Sequence, residues 1–161
     1  MNIERIKKSI RNVPDFPKQG IQFKDITTLL QDIDAFQETI DIFYQQFKDK
    51  EIETVVGIES RGFIFAAPLA LKLDCKFALV RKPGKLPSDT VAEEYKLEYG
   101  SDVIEMHQDA IQIGDRVLVV DDLIATGGTA KATGSLVNKL GGEIVSYAFL
   151  IELLDLKGAD F

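Results

Sequence analysis

Residues 117–130, VLVVDDLIATGGTA, combine an apolar strand pattern with two adjacent acids and a glycine-rich turn. Asp121 and Asp122 follow four apolar residues, and the Thr-Gly-Gly-Thr turn at 126–129 leads into a helical pattern. Such a turn aims several backbone N–H groups at one point, and the helix start adds partial positive charge, which together suit a phosphate group. The carboxylates would repel phosphate, but they can accept hydrogen bonds from sugar hydroxyls. The stretch therefore predicts a site for a sugar phosphate.

A purely structural interpretation of the same residues stays open. Thr126 or Thr129 could cap the helix, while the glycines only form the turn and the aspartates are solvated. Two familiar phosphate motifs are excluded, because nothing matches G-x-x-x-x-G-K-[ST] and no G-x-G-x-x-G follows a strand pattern. Two acids followed by this turn favour the anion site over the capping interpretation.

Cationic side chains follow two other strand patterns. Arg61 lies in GIESRGF, and Arg81 and Lys85 lie in RKPGKLP. A local ion pair between Glu59 and Arg61, or a solvated charge run, would explain them without function. Because the carboxyl ends of parallel strands share one edge of a sheet, we favour a polyanion site beside the first one.

Alternating helical and strand patterns predict an α/β fold with a central, mostly parallel sheet flanked by helices. Strand patterns cover residues 54–58, 77–80, 117–120 and 144–151, and helical patterns cover residues 2–11, 34–47, 63–73 and 130–140. We expect Asp34 to cap the second helix. Residues 13–23, rich in proline and glycine, are expected to be irregular, and residues 82–100 to form a long excursion or hairpin.

Length and composition narrow the class of protein. The chain has 161 residues, 45% of them hydrophobic, so we expect one domain over residues 1–161. A net charge of -7 argues against nucleic acid as a partner. A single cysteine, Cys75, no signal-peptide pattern and no apolar run of membrane length indicate a cytoplasmic protein without membrane contact. Neither Cys75 nor His107 has neighbours at metal-ligand spacing.

The Asp-Asp-Leu-Ile-Ala-Thr-Gly-Gly-Thr run resembles the signature of the type I phosphoribosyltransferases, which bind phosphoribosyl pyrophosphate (PRPP) and magnesium. The resemblance implies the fold of that family, with an N-terminal hood and a flexible catalytic loop. It also implies a homodimer. It implies Mg²⁺ held mainly by substrate oxygens and water. It assigns residues to three groups: the ribose hydroxyls to Asp121 and Asp122, the 5-phosphate to Ala125, Thr126, Gly127, Gly128 and Thr129, and the pyrophosphate to Glu59, Ser60, Arg61, Arg81 and Lys85. The family often has a cis peptide bond near Glu59–Ser60, which we also expect here.

The resemblance extends over nearly the whole chain, through VPDFPKQGIQFKDIT, ESRGF, RKPGKLP and YKLEYG in the same order. Together these motifs narrow the resemblance to family members that use adenine as the base. There it implies that Phe23 stacks on the base beside Lys24, where arginine is common. It implies that Glu98 acts as acid or base on the purine from the mobile loop, with Tyr99 and Arg61 also catalytic. The C-terminal LKGADF is shorter and more acidic than the usual basic tail.

The implied reaction joins adenine to the phosphoribosyl group of PRPP, giving AMP and pyrophosphate, through an oxocarbenium-like transition state like that of glycoside chemistry. Two alternatives remain. The first is the same transfer to hypoxanthine, guanine, xanthine or a pyrimidine. The second is a non-catalytic sensor of PRPP or a nucleotide, although the chain has no basic face for a DNA-binding module.

Overall fold

The computed structural model describes residues 3–96 and 100–160. The chain divides between Gln46 and Phe47 into two compact units. The first unit contains α1 (Ile3–Ser9), β1 (Arg11–Pro14), β2 (Gln22–Asp25), α2 (Thr27–Gln31) and most of α3 (Ile33–Phe47). The expected single domain over residues 1–161 stays a prediction.

The proline-rich segment of the first unit is more regular than expected. β1 and β2 pair antiparallel, with Val13 opposite Phe23. Pro17, which follows a cis peptide bond, and Gly20, with a φ of 87°, lie in the connection between the strands. The irregular segment predicted for residues 13–23 is therefore wrong at both ends, because the helix- and strand-breaking residues are confined to the turn and to the last position of β1.

The capping residue of α3 lies two positions before the predicted one, and the helix begins at Ile33, one residue before the predicted start. Asp32, not Asp34, accepts a hydrogen bond from the backbone N–H of Ala35, at 3.1 Å, which is the geometry of an N-terminal cap. That hydrogen bond, and then one from Arg5, lower the pKa of Asp32. Arg5 also pairs with Asp34, at 3.0 Å, so Arg5 binds both acids although only Asp32 caps the helix.

The second unit is built on a four-stranded parallel sheet in the order β4-β3-β7-β8. Its elements are β3 (Thr54–Ile58), α4 (Gly62–Leu73), β4 (Lys76–Val80), β5 (Thr90–Lys96), β6 (Ser101–His107), β7 (Arg116–Ile124), α5 (Gly128–Lys139) and β8 (Glu143–Glu152). The predicted mixed α/β fold with a central parallel sheet is confirmed. β7 is longer than predicted, because its pairing with β8 continues to Ile124 opposite Glu152, so the two acids lie within the strand.

Helices cover both faces of this sheet. On one face, Gly57 of β3 lies against Ala66 and Phe63 of α4. On the other, Val56 and Val119 pack in a buried cluster with residues of α5 and β6. β5 and β6 form an antiparallel hairpin, whose first strand lies within the excursion or hairpin predicted for residues 82–100 but whose second strand begins beyond it, at Ser101. Within the described ranges, no helix has the length and apolar character needed to cross a membrane.

Candidate functional site

The start of α5 is uncapped and borders a cavity. Gly127 precedes the helix in the left-handed region, with a φ of 80°, and no described side chain caps the helix start. The capping interpretation of Thr126 and Thr129 is therefore wrong. The first N–H groups of the helix keep their capacity to donate to a ligand. They border a cavity of about 220 Å³, which is lined by Asp121, Leu123, Ile124, Ala125, Thr126, Gly127, Gly128, Thr129, Ala130 and Phe149.

The two acids of β7 form a buried, interacting pair. Asp122 is 2% exposed and Asp121 is half-buried. The backbone N–H of Asp122 donates to Asp121 Oδ1 at 2.8 Å, and Arg61 Nε lies 2.9 Å from Asp122 Oδ2. Burial, and then the negative charge of Asp122, raise the pKa of Asp121 to about 8. Burial also raises the pKa of Asp122, although the charge of Arg61 opposes it. The pair therefore retains a proton near neutral pH.

Replacing Asp121 with asparagine is expected to raise the melting temperature of the ligand-free protein, more at pH 8 than at pH 5. The pKa of Asp121 rises on folding from 3.8 to about 8. Between these values the folded state binds more protons than the unfolded state, so the stability of the wild type falls as pH rises through this window. Asparagine removes that dependence, and each kcal/mol corresponds to about 2–4 °C in a chain of this size.

Thermal unfolding from pH 5 to pH 8 measures this effect, with the exposed Asp109→Asn as the control. A difference in melting temperature between Asp121→Asn and the wild type that did not change with pH would contradict the raised pKa.

The loop after β3 carries an anion that binds two cations. The Glu59–Ser60 peptide bond is cis, as expected. The Glu59 carboxylate accepts hydrogen bonds from Arg81 Nε at 3.2 Å, from the backbone N–H of Lys82 at 2.9 Å, and from Lys85 Nζ. Burial raises the pKa of Glu59, but the hydrogen bonds from Lys85, Lys82 and Arg81 together lower it to about 2. Glu59 is thus ionised and organises the two cations that were predicted to bind pyrophosphate.

The cavity at the start of α5 and a second cavity beside Glu59 and Arg81 have lining residues in common. A second cavity of about 140 Å³ is lined by Ile58, Glu59, Val80, Arg81, Lys82, Tyr95, Ile104, Asp121 and Thr129. Asp121 and Thr129 also line the larger cavity. The structure therefore brings Glu59 and Arg81 next to Asp121 and the start of α5. A molecule with a phosphate at one end and a pyrophosphate at the other would contact both cavities.

Sequence reasoning missed several residues at these cavities. Lys82 binds Asp102 through its ammonium group, and Tyr95 OH lies 3.2 Å from the same carboxylate. Lys82 had a signal, since it lies inside RKPGKLP, whereas Tyr95 and Asp102 face each other only because β5 pairs with β6. Phe149 lines the larger cavity because it is paired with Asp121 in the register of β7 and β8.

Other predicted site residues belong to the first unit or lie outside the described chain. Phe23 and Lys24 belong to β2 of the first unit, where the rings of Phe23 and Phe16 are 5.2 Å apart and Lys24 Nζ lies 2.6 Å from Asn12 Oδ1. The predicted catalytic residues Glu98 and Tyr99, on the loop expected to be flexible, lie outside the described residues. Within residues 3–96 and 100–160, no group of three or more His, Cys, Asp or Glu side chains is arranged to hold a metal ion.

Comparison with known proteins places the chain in a family. The model of the phosphoribosyl transferase domain matches residues 25–159, so the chain belongs to the phosphoribosyltransferase family. Among its relatives, the adenine phosphoribosyltransferase of Halothermothrix orenii is 58% identical over 155 residues, covering 96% of this chain and 91% of the relative.

Solved structures agree with this placement. The crystal structure of adenine phosphoribosyltransferase from Rhodothermus marinus has 57% sequence identity and a TM-score of 0.93, and the match covers 98% of this chain and 89% of the other. The enzyme of Saccharomyces cerevisiae, crystallised with an imino-altritol bisphosphate and adenine, has 42% identity and a TM-score of 0.92, with 97% and 91% of the two chains covered.

Proposed function

We propose that this chain transfers the 5-phosphoribosyl group of PRPP to adenine, giving AMP and pyrophosphate, as a step of purine salvage. It is a pentosyl-transferring enzyme. The observation that carries the proposal is the uncapped start of α5 shortly after the half-buried Asp121 and the buried Asp122. The choice of adenine as the base rests on the relatives named above, which are adenine phosphoribosyltransferases and match nearly the whole length of this chain.

The start of α5 binds the 5-phosphate. Backbone N–H groups from Ala125 to Thr129 donate to the phosphate oxygens, and the positive end of the helix favours the charge. Asp121 and Asp122 accept hydrogen bonds from the ribose hydroxyls. Once ionised, their charge stabilises the cationic sugar that develops in the transition state. A free site that holds a proton between these acids must therefore release it as PRPP binds, because a carboxylate stabilises the sugar cation better than a carboxylic acid does.

The leaving pyrophosphate is bound at the loop that follows β3. Arg81, Lys85 and Arg61 carry the positive charge, and the loop at Glu59–Ser60 contributes its backbone. Because Arg81 lines the cavity that shares Asp121 and Thr129 with the larger one, the bond that breaks would lie between the two cavities. Phe23 stacks on adenine with Lys24 beside it, and Glu98 exchanges a proton with the purine while Tyr99 lies next to it.

Magnesium fits this donor set as an ion brought by the substrate. Mg²⁺ prefers oxygen ligands, keeps several waters and is commonly bound through substrate phosphates rather than by a complete protein cage. The described residues offer carboxylate oxygens at the cavities but no group of three ligands in one place. Bound with PRPP, the ion would neutralise charge on the pyrophosphate.

The test is a direct assay of the purified protein with Mg²⁺ and PRPP, offering adenine, hypoxanthine, guanine, xanthine and uracil in separate reactions. We expect AMP from adenine and no nucleotide from the others. Turnover of another base would contradict the adenine assignment while keeping the sugar phosphate site. Tight binding of PRPP without any turnover would favour a sensor.

We also propose that the protein acts in the cytoplasm as a homodimer. The dimer rests on the family, and the location rests on the single cysteine, which cannot form a disulfide within the chain. Sedimentation equilibrium of the purified protein measures the mass of the particle, for which we expect twice the 17.9 kDa of one chain. A particle of one chain mass at micromolar concentration would contradict the dimer.

A further inference from the structure

The C-terminal turn of the second unit contacts the loop that precedes α5. After β8, the backbone N–H of Leu153 donates to the carbonyl of Ile124 at 3.0 Å, and residues Leu154–Leu156 form one turn of 3-10 helix. Lys157 follows with a φ of 49°. These steps reverse the chain, so that Gly158 lies against the backbone of residues 125–127.

Gly158 is buried although the other residues of 154–160 are exposed. A Cβ atom at this position would lie 2.2 Å from the carbonyl oxygen of Ala125 and 3.0 Å from the backbone N of Gly127. Both neighbours are backbone atoms, which cannot rotate away as a side chain can. The contact therefore joins two main chains at a distance that only glycine permits.

The backbone conformation does not require glycine here. Among the described glycines, Gly127 has a positive φ, whereas Gly158 does not. Its lack of a side chain is needed for close approach, and an alanine at 158 would be compatible with the local φ. A substitution thus tests the contact itself and not the folding of the turn.

The contact reaches the loop from outside the ligand cavity. Ala125 and Gly127 line the larger cavity, whereas Gly158 does not. No described side chain caps the start of α5, so the loop lacks the usual support on its helical side. The C-terminal turn supplies a neighbour for the same backbone that lines the cavity.

We infer that the C-terminal turn, through Gly158, is a positioning element that fixes the backbone N–H groups of residues 125–127 for the 5-phosphate. The inference rests on the proposed function of this loop. Displacing donors by about 1 Å is enough to weaken a site substantially, since hydrogen bonds to phosphate require good alignment. Gly158 itself touches no substrate.

The experiment measures two ligands on the Gly158→Ala variant by calorimetry. We expect about tenfold weaker binding of ribose 5-phosphate, which uses the loop, and binding of pyrophosphate within about twofold of wild type, because its site is on the other loop. In turnover, KM for PRPP should rise by a similar factor while kcat stays within about threefold. The exposed neighbour Ala159→Ser is the matched control and should change none of these values.

A second variant guards against a folding defect in the first. A chain ending at Lys157 lacks the contact without adding an atom, and it should also lose ribose 5-phosphate affinity selectively. Unchanged ribose 5-phosphate binding in both variants, or equal weakening of both ligands, would overturn the inference while leaving the proposed function intact. A wild type that bound pyrophosphate but no ribose 5-phosphate would instead overturn the 5-phosphate site, and the inference with it.

Discussion

The Glu98→Ala variant should lower kcat by about 10²–10⁴-fold, the usual contribution of a positioned acid or base. Its affinity for PRPP should change by less than about threefold, because Glu98 is assigned to the purine and not to the sugar phosphate. The family resemblance supplies this role. Residues 97–99 lie outside the described chain, and Lys96 and Ser101 on either side of that segment are paired in the β5–β6 hairpin.

That hairpin end lies beside the start of α5. A Cβ at Gly128 would lie 3.4 Å from the ring of Tyr95 and 3.5 Å from the carbonyl of Lys96, so β5 reaches the start of α5 at ordinary contact distance. Lys139 of α5 pairs with Glu93 of β5 at 2.5 Å. Two contacts therefore anchor the strand that leads into the segment carrying Glu98.

Steady-state and single-turnover kinetics distinguish the chemical step from product release. Glu94→Ala is the control, since it removes an exposed carboxylate from the same hairpin. If Glu98→Ala kept the wild-type kcat, Glu98 would have no part in the proton transfer.

Replacing Gly62 with alanine should reduce kcat/KM by at least about 100-fold, because it displaces the acid pair. Gly62 is the first residue of α4 and is buried. A Cβ there would lie 2.8 Å from Asp121 Oδ1 and 2.8 Å from the carbonyl oxygen of Val120. The carboxylate and the strand must both shift to accept it, which moves the hydrogen-bond acceptors for the ribose hydroxyls.

Kinetics together with thermal unfolding separate this effect from loss of fold. Leu71→Ala, at an 85% exposed position of the same helix, should keep wild-type activity. We expect Gly62→Ala to remain folded at the assay temperature and to bind PRPP poorly. Normal turnover by Gly62→Ala would show that the contact between α4 and Asp121 does not matter for the reaction.

The parallel sheet was predictable because its strands are buried on both faces. Continuous apolar runs such as those of β3 and β7 indicate a sheet covered by helices, and the intervening helical patterns fix the parallel connection. The approximate place of the ligand loops follows from that topology, since the carboxyl ends of β3, β4 and β7 share one edge. Arg81 and Asp121 could be assigned to one region for this reason.

What the sequence could not provide was the pairing of side chains across elements. A local ion pair between Glu59 and Arg61 was the non-functional alternative, whereas in the structure Glu59 binds Arg81 and Lys85, and Arg61 pairs with Asp122. These partners depend on the order of strands β4, β3 and β7 and on the path of the loop after β4, neither of which has a local pattern. The β1–β2 hairpin was missed because its prolines and glycine dominate a short segment.

Since Glu59 is covalently part of the site, the cations Arg81 and Lys85 possess a counter-ion that does not diffuse away. Its effective concentration beside them far exceeds that of any salt in solution. Chloride carries the same single charge but is not tethered beside the cations, so it competes poorly with a carboxylate held by three donors. A multivalent anion presents several oxygens to the same cations and can displace Glu59. The pairing thus makes the free site insensitive to ordinary salt and selective for ligands of high charge density.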